Sequence, residues 1–217
     1  MTWTGWPSGR GLAGPLELFA TWIHEASHAF IGVVCGADIT RVDLSVDGSG
    51  VTGVSAPPSD TLAVAVGSAG YVGTVVVGSL LVAVGRWPRV ARITLGVLGG
   101  LMVLSALLWM PSAFAFGLSF GIGALLVVLA ILLPDRWARF LATGLGALTV
   151  FEGLARLVDV GDGTTDAVLT SHASGVGVGV VRGVWIVLGV LAALVGLIVR
   201  LRKAVPDAES LAGTASP

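Results

Sequence analysis

The sequence predicts an all-α integral membrane protein of about six transmembrane helices, with a short β-hairpin between helices one and two. Three observations carry this. The 217 residues are 55% hydrophobic and only 12% charged, where soluble domains are about a quarter charged. Mean hydropathy is +0.95. Apolar runs of spanning length recur along the chain, and most of the charge falls in the connections between them. Soluble globular and disordered classes are thereby excluded. The net charge of -1 gives no basis for a nucleic-acid partner. The expected organisation is one polytopic membrane domain over 1–205, followed by a small, polar, disordered tail over 206–217. The N-terminus lacks a basic start leading at once into an apolar core and a cleavage site, so no removable signal peptide is expected.

A helix crossing the hydrocarbon needs about 20 mostly apolar residues. Segment one runs from about Leu12 to Val34 and segment two from Thr61 to Gly85. The charge-free run between Arg92 and Asp135 is roughly twice the bilayer core at 1.5 Å per residue. It must therefore cross twice. Pro111 is the natural break, because it cannot continue the hydrogen-bond ladder. That gives segment three at about 93–110 and segment four at about 114–133. Segment five spans about Trp137 to Leu157 and ends with Glu152 and Arg156, spaced to pair. Segment six spans about Val176 to Leu201. The glycine-rich spans suit close helix packing.

Two connections have character. In residues 37–60, Ile39, Val42, Leu44 and Val46 roughly alternate with polar residues, Asp47-Gly48 signals a turn, and Val51 to Val54 can return. This predicts a β-hairpin beside the membrane. Residues 158–175 read as an acidic, glycine-rich loop. The connections on one side hold nine of the twelve basic residues, and the other side holds only Arg41, Arg156 and Arg182. The positive-inside rule then puts both termini in the cytosol, with the hairpin and the acidic loop facing outward together.

The chemistry sits in "TWIHEASHAF", residues 21–30. Residues four apart share a helix face, so His24 and His28 can offer two imidazoles to one metal ion. Glu25 lies beside them, in reach of a water bound to that metal. This is the H-E-x-x-H arrangement of zinc peptidases, in which the carboxylate takes the water's proton and passes it to the leaving amine. In a soluble helix the string could be an accident. Within a span, ionisable groups cost roughly 2.5–3.5 kcal/mol each, so three in five residues call for a compensating role. A catalytic zinc takes three protein ligands. Cys35 and Glu17 each lie seven residues from the nearer histidine, about 10 Å along the axis, which is too far. Cys35 is expected to be a small core residue and Glu17 an interface residue. The acidic loop offers Asp159, Asp162, Asp166 and His172.

With these residues in hand, the chain resembles the site-2 protease family of intramembrane zinc metallopeptidases, most of all its compact bacterial B-like subgroup. The matching pieces are "HEASHAFIGVVCGADITRVDLSVDGSGVT", "AGYVGTVVVGSLL", and "TTDAVL" ahead of a final helix containing "VW". The resemblance implies membrane helices around a buried Zn2+ and hydrolysis of membrane-spanning protein substrates in the bacterial cell membrane. It implies His24 and His28 as ligands, Glu25 as base, and Asp166, by its position in "TTDAVL", as third ligand. Asp162 is the rival, because Asp162-Gly163 matches the Asp-Gly ligand motif of other members. Two features depart from the family. Its Asn-Pro element has no counterpart in a chain without asparagine; His172 and Arg182 are the candidates for oxyanion stabilisation or substrate contact. The family's metal is also usually drawn nearer the cytosol, whereas the arginines place it nearer the outside. The competing function is a non-catalytic metal-binding membrane protein, or a degenerate protease acting as a scaffold.

Overall fold

The structure is a computed structural model that describes residues 13–159 and 165–202. Its order is α1 (Ala13–Val34), β1 (Asp38–Leu44), β2 (Gly50–Ser55), α2 (Asp60–Val84), α3 (Pro88–Trp109), α4 (Ala113–Leu132), α5 (Asp135–Asp159), α6 (Thr165–Ser174) and α7 (Val178–Leu201). Among the described residues, α2, α3, α4, α5 and α7 are long and apolar enough to cross a bilayer. α1 has 22 residues, about 33 Å of helix, but its polar motif lowers its apolarity. Its residues from Leu18 to Glu25 are all buried. It is the interior helix of the bundle, screened from lipid by its neighbours, and so can carry groups that lipid would exclude.

Local chemistry sets the boundaries. Gly36, at φ 81°, ends α1 in the left-handed conformation that glycine tolerates best. Pro88 starts α3, where a missing N–H costs nothing. Pro111 separates α3 from α4, and the Ser112 hydroxyl caps α4 by accepting from the Ala115 amide at 3.1 Å. The same hydroxyl donates to Asp43 Oδ1 at 2.7 Å, tying α4 to the hairpin.

α2 packs against α1, α5, α6 and α7, while α3 and α4 pair with one another. Small residues make the crossings close. A Cβ on Gly99 of α3 would stand 2.6 Å from the Gly123 carbonyl oxygen of α4. The core runs through Phe19, Trp22 and Ile23 of α1, Leu81 of α2, and Leu95 and Met102 of α3. Buried Trp22 satisfies its indole by donating to Ser105 Oγ at 2.9 Å.

The hairpin is antiparallel, with Val42 opposite Thr52 and Leu44 opposite Gly50. A bulge between Ile39 and Arg41 resets the alternation, so Val42 and Leu44 face the core. A strict period of two from Ile39 would have turned Arg41 inward. The hairpin folds back along α1. Its base packs near Gly32, where a Cβ would stand 3.0 Å from Ile39. Its turn reaches Thr21, whose hydroxyl donates to the Gly48 carbonyl at 2.9 Å. Gly32 and Thr21 are eleven residues apart, so the ribbon covers about 16 Å of α1.

Two expectations are corrected. Residues 165–174, read as loop, form α6; its mixed composition has no clear apolar period, and packing on α2 supplies what local pattern lacks. Cys35 is exposed, not a core residue, because α1 has outrun its neighbours by that point. The Glu152–Arg156 pairing is present at 3.8 Å. The expected tail lies outside the described residues.

Candidate metal centre

The site is assembled from three elements that are far apart in sequence. α1 presents His24 and His28 one turn apart, both buried, with their Nε2 atoms 3.0 Å from each other. α6 brings Asp166, whose Oδ2 lies 3.1 Å from His24 Nε2 and 3.3 Å from His28 Nε2. α2 supplies the floor. Gly70 faces both imidazoles, and a methyl group there would fall on both Nε2 atoms. The backbone thus leaves open the space toward which the donors converge.

The donor set fits zinc on geometry as well as type. Ligand atoms about 2.0–2.1 Å from a shared tetrahedral centre stand about 3.3 Å from one another, and the three observed edges run from 3.0 to 3.3 Å. Two imidazoles and a carboxylate are a zinc-type donor set. The outer contacts agree. His28 Nδ1 donates to the Val66 carbonyl oxygen at 2.6 Å, which turns the lone pair of Nε2 toward the other donors. His24 meets the Tyr71 ring edge-on at 4.7 Å between centroids, and Tyr71 stacks on Trp185 of α7 at 5.3 Å.

Glu25 is buried beside the histidines but points to the hairpin. Thr52 Oγ1 donates to Glu25 Oε2 at 2.6 Å. On the same strand, a Cβ on Gly50 would stand 2.6 Å from Glu25 Oε1. Below this level, Arg156 Nη2 donates to Thr21 Oγ1 at 2.8 Å and lies 3.9 Å from Glu17. Glu17 thus belongs to the contact joining α1, α5 and the hairpin turn.

The other sequence candidates fall elsewhere. His172 is exposed on α6, outside the three-donor cluster. Arg182 Nη2 donates to the carbonyl oxygens of Leu157 and Val158 at 3.1 and 3.2 Å, where it closes the C-terminal end of α5. Asp159 ends α5, and Asp162 lies outside the described residues. Gly70, Tyr71, Thr52 and Gly50 carry no functional assignment from the sequence. Gly70 and Tyr71 stand in "GSAGYVG", where the surplus of small residues suggests only packing. Thr52 gives no local signal at all.

A comparison with curated proteins finds no match, and neither does one with solved structures. A family model described as Peptidase M50B-like matches residues 2–196, nearly the whole chain. The polytopic bundle and the His–His–Asp cluster are compatible with an intramembrane metallopeptidase. The chain belongs to the Peptidase M50B-like family, the B-like branch of the site-2 intramembrane proteases.

Proposed function

We propose that the chain is a zinc-dependent endopeptidase that cuts membrane-spanning protein substrates within the bilayer. His24, His28 and Asp166 hold the zinc, and Glu25 is the general base. The observation that carries this reading is the convergence of three zinc-type donors from α1 and α6, at 3.0–3.3 Å, beside a buried carboxylate. Bound there, zinc supplies Lewis-acid activation of a water molecule and of the scissile carbonyl. Glu25 takes the water's proton and returns it to the leaving amine. The buried surroundings of α1 keep bulk water from competing with that transfer.

A substrate helix is closed to attack while its carbonyls are bonded internally. It must unwind at the site. The hairpin lies against α1 at the level of Glu25, so a peptide stretch paired to it as an added strand would run past the base. On this reading the protein sits in a bacterial cell membrane with both termini in the cytosol and the hairpin base toward the outside, an orientation that the arginine distribution supports.

The test is cleavage of a reporter transmembrane helix by purified protein, wild type against Glu25→Gln, with zinc measured in both. Zinc in both and cleavage by the wild type alone supports the proposal. Cleavage by Glu25→Gln rejects Glu25 as the base. Zinc without cleavage in either points instead to a metal-binding scaffold.

A further inference from the structure

The catalytic-base candidate is oriented by a different element from the one that carries it. Thr52 Oγ1 of β2 lies 2.6 Å from Glu25 Oε2 and 3.0 Å from the Glu25 carbonyl oxygen. A hydroxyl has one hydrogen to give. The carboxylate oxygen is the nearer acceptor, so it takes that hydrogen. Gly50 is two residues away and therefore on the same face of the strand. A Cβ there would press on Oε1 at 2.6 Å and on Cγ at 2.7 Å. One carboxylate oxygen is thus tied by a hydroxyl, and the other lies over a backbone that carries no side chain.

We propose that Thr52 is a positioning residue for Glu25: its hydroxyl anchors Oε2 and fixes the carboxylate plane, leaving Oε1 as the oxygen that accepts the proton. The terminal torsion of a glutamate is broad, so helix α1 by itself does not set that plane. Thr52 does so without touching the metal donors, which α1, α2 and α6 hold independently. The hairpin then has a second role beside any substrate it binds, because a shift of β2 moves the base. Gly50 allows the same geometry by leaving room for Oε1.

This inference rests on Glu25 being the base, and the experiment separates the two claims. Reporter cleavage is measured for Thr52→Val, which keeps shape and strand preference but removes the hydroxyl, for Thr52→Ser, which keeps the hydroxyl, and for Glu25→Gln. Misplacing a catalytic group by about 1 Å costs about 10²-fold. Thr52→Val is expected to lower kcat by about that factor, with KM and zinc content unchanged, and Thr52→Ser to recover most of the loss. Wild-type kcat in Thr52→Val, beside an inactive Glu25→Gln, overturns the role of Thr52 and leaves the base intact. A rise in KM alone also overturns it, since that marks Thr52 as a substrate contact. Cleavage by Glu25→Gln rejects the base itself. Should Thr52→Val lose zinc or fold, Gly50→Ala decides: its methyl displaces the carboxylate, so retained zinc with a reduced kcat supports the inference, and wild-type kcat overturns it.

Discussion

α1 and α7 are both helices of spanning length, yet they use their residues in opposite ways. α7 is the most apolar of the five candidate spans and the least buried; Val187, Leu191 and Val195 are largely exposed on it. α1 falls short of the spanning criterion in apolarity, and its middle is buried on every side. In water, burial follows apolarity. In lipid, no hydrophobic force separates an apolar side chain from its surroundings, so packing and polar contacts decide what goes inside. α1 occupies the centre because its polar groups have to be shared among protein neighbours. Among the described helices of spanning length, α1 alone fails to look like a membrane span.

That contrast can be broken at several strengths. The largest effect is expected at Glu25. Glu25→Gln should lower cleavage by about 10²–10⁴-fold, the usual worth of a general base, while circular dichroism and zinc content stay unchanged. Next come the donors. His24→Ala, His28→Ala and Asp166→Ala should each weaken zinc binding by more than the 10–100-fold typical of losing an outer contact, as read by competition with a chelating dye. Gly70→Ala should also lower zinc affinity, because its methyl fills the space between the donors; a variant that binds zinc as tightly as wild type would remove Gly70 from the site.

Smaller effects test the packing side. Leu81 of α2 is fully buried and Leu191 of α7 is half-exposed. Leu81→Ala should cost about 2 kcal/mol or more through the cavity it leaves, and Leu191→Ala should stay within about 0.5 kcal/mol, both read from unfolding in detergent. Equal costs would deny that the two helices face different surroundings. The orientation has a direct probe in the exposed thiol of Cys35, the single cysteine of the chain. It should react with a membrane-impermeant maleimide added outside intact cells; labelling only after lysis would reverse the topology.

Much of the fold was legible because membrane burial simplifies it. Apolar runs and Pro111 located the described spans to within a few residues, and Asp47-Gly48 located the turn. The motif on α1 was legible because its two histidines share a face of one helix. The hairpin's course along α1 was not, since nothing local specifies which helix a ribbon packs against. α6 was missed because a ten-residue helix held by contact with α2 needs no strong pattern of its own. Asp166 was reached only through resemblance, since three other groups in the same stretch had equal chemistry; the seating of α6 on α2 brings Asp166 to the two histidines. Thr52 and Gly50 act on Glu25 from 27 and 25 positions away, and their identities carry no trace of it.

Zinc stoichiometry is the most direct measurement, made on purified protein in detergent for the wild type, Glu25→Gln and Asp166→Ala. About one zinc per chain in the first two, and strong depletion in the third, is the expected pattern. A wild type that neither contains nor takes up zinc, or an Asp166→Ala variant that holds it as firmly, would contradict the assembly of the centre from α1 and α6.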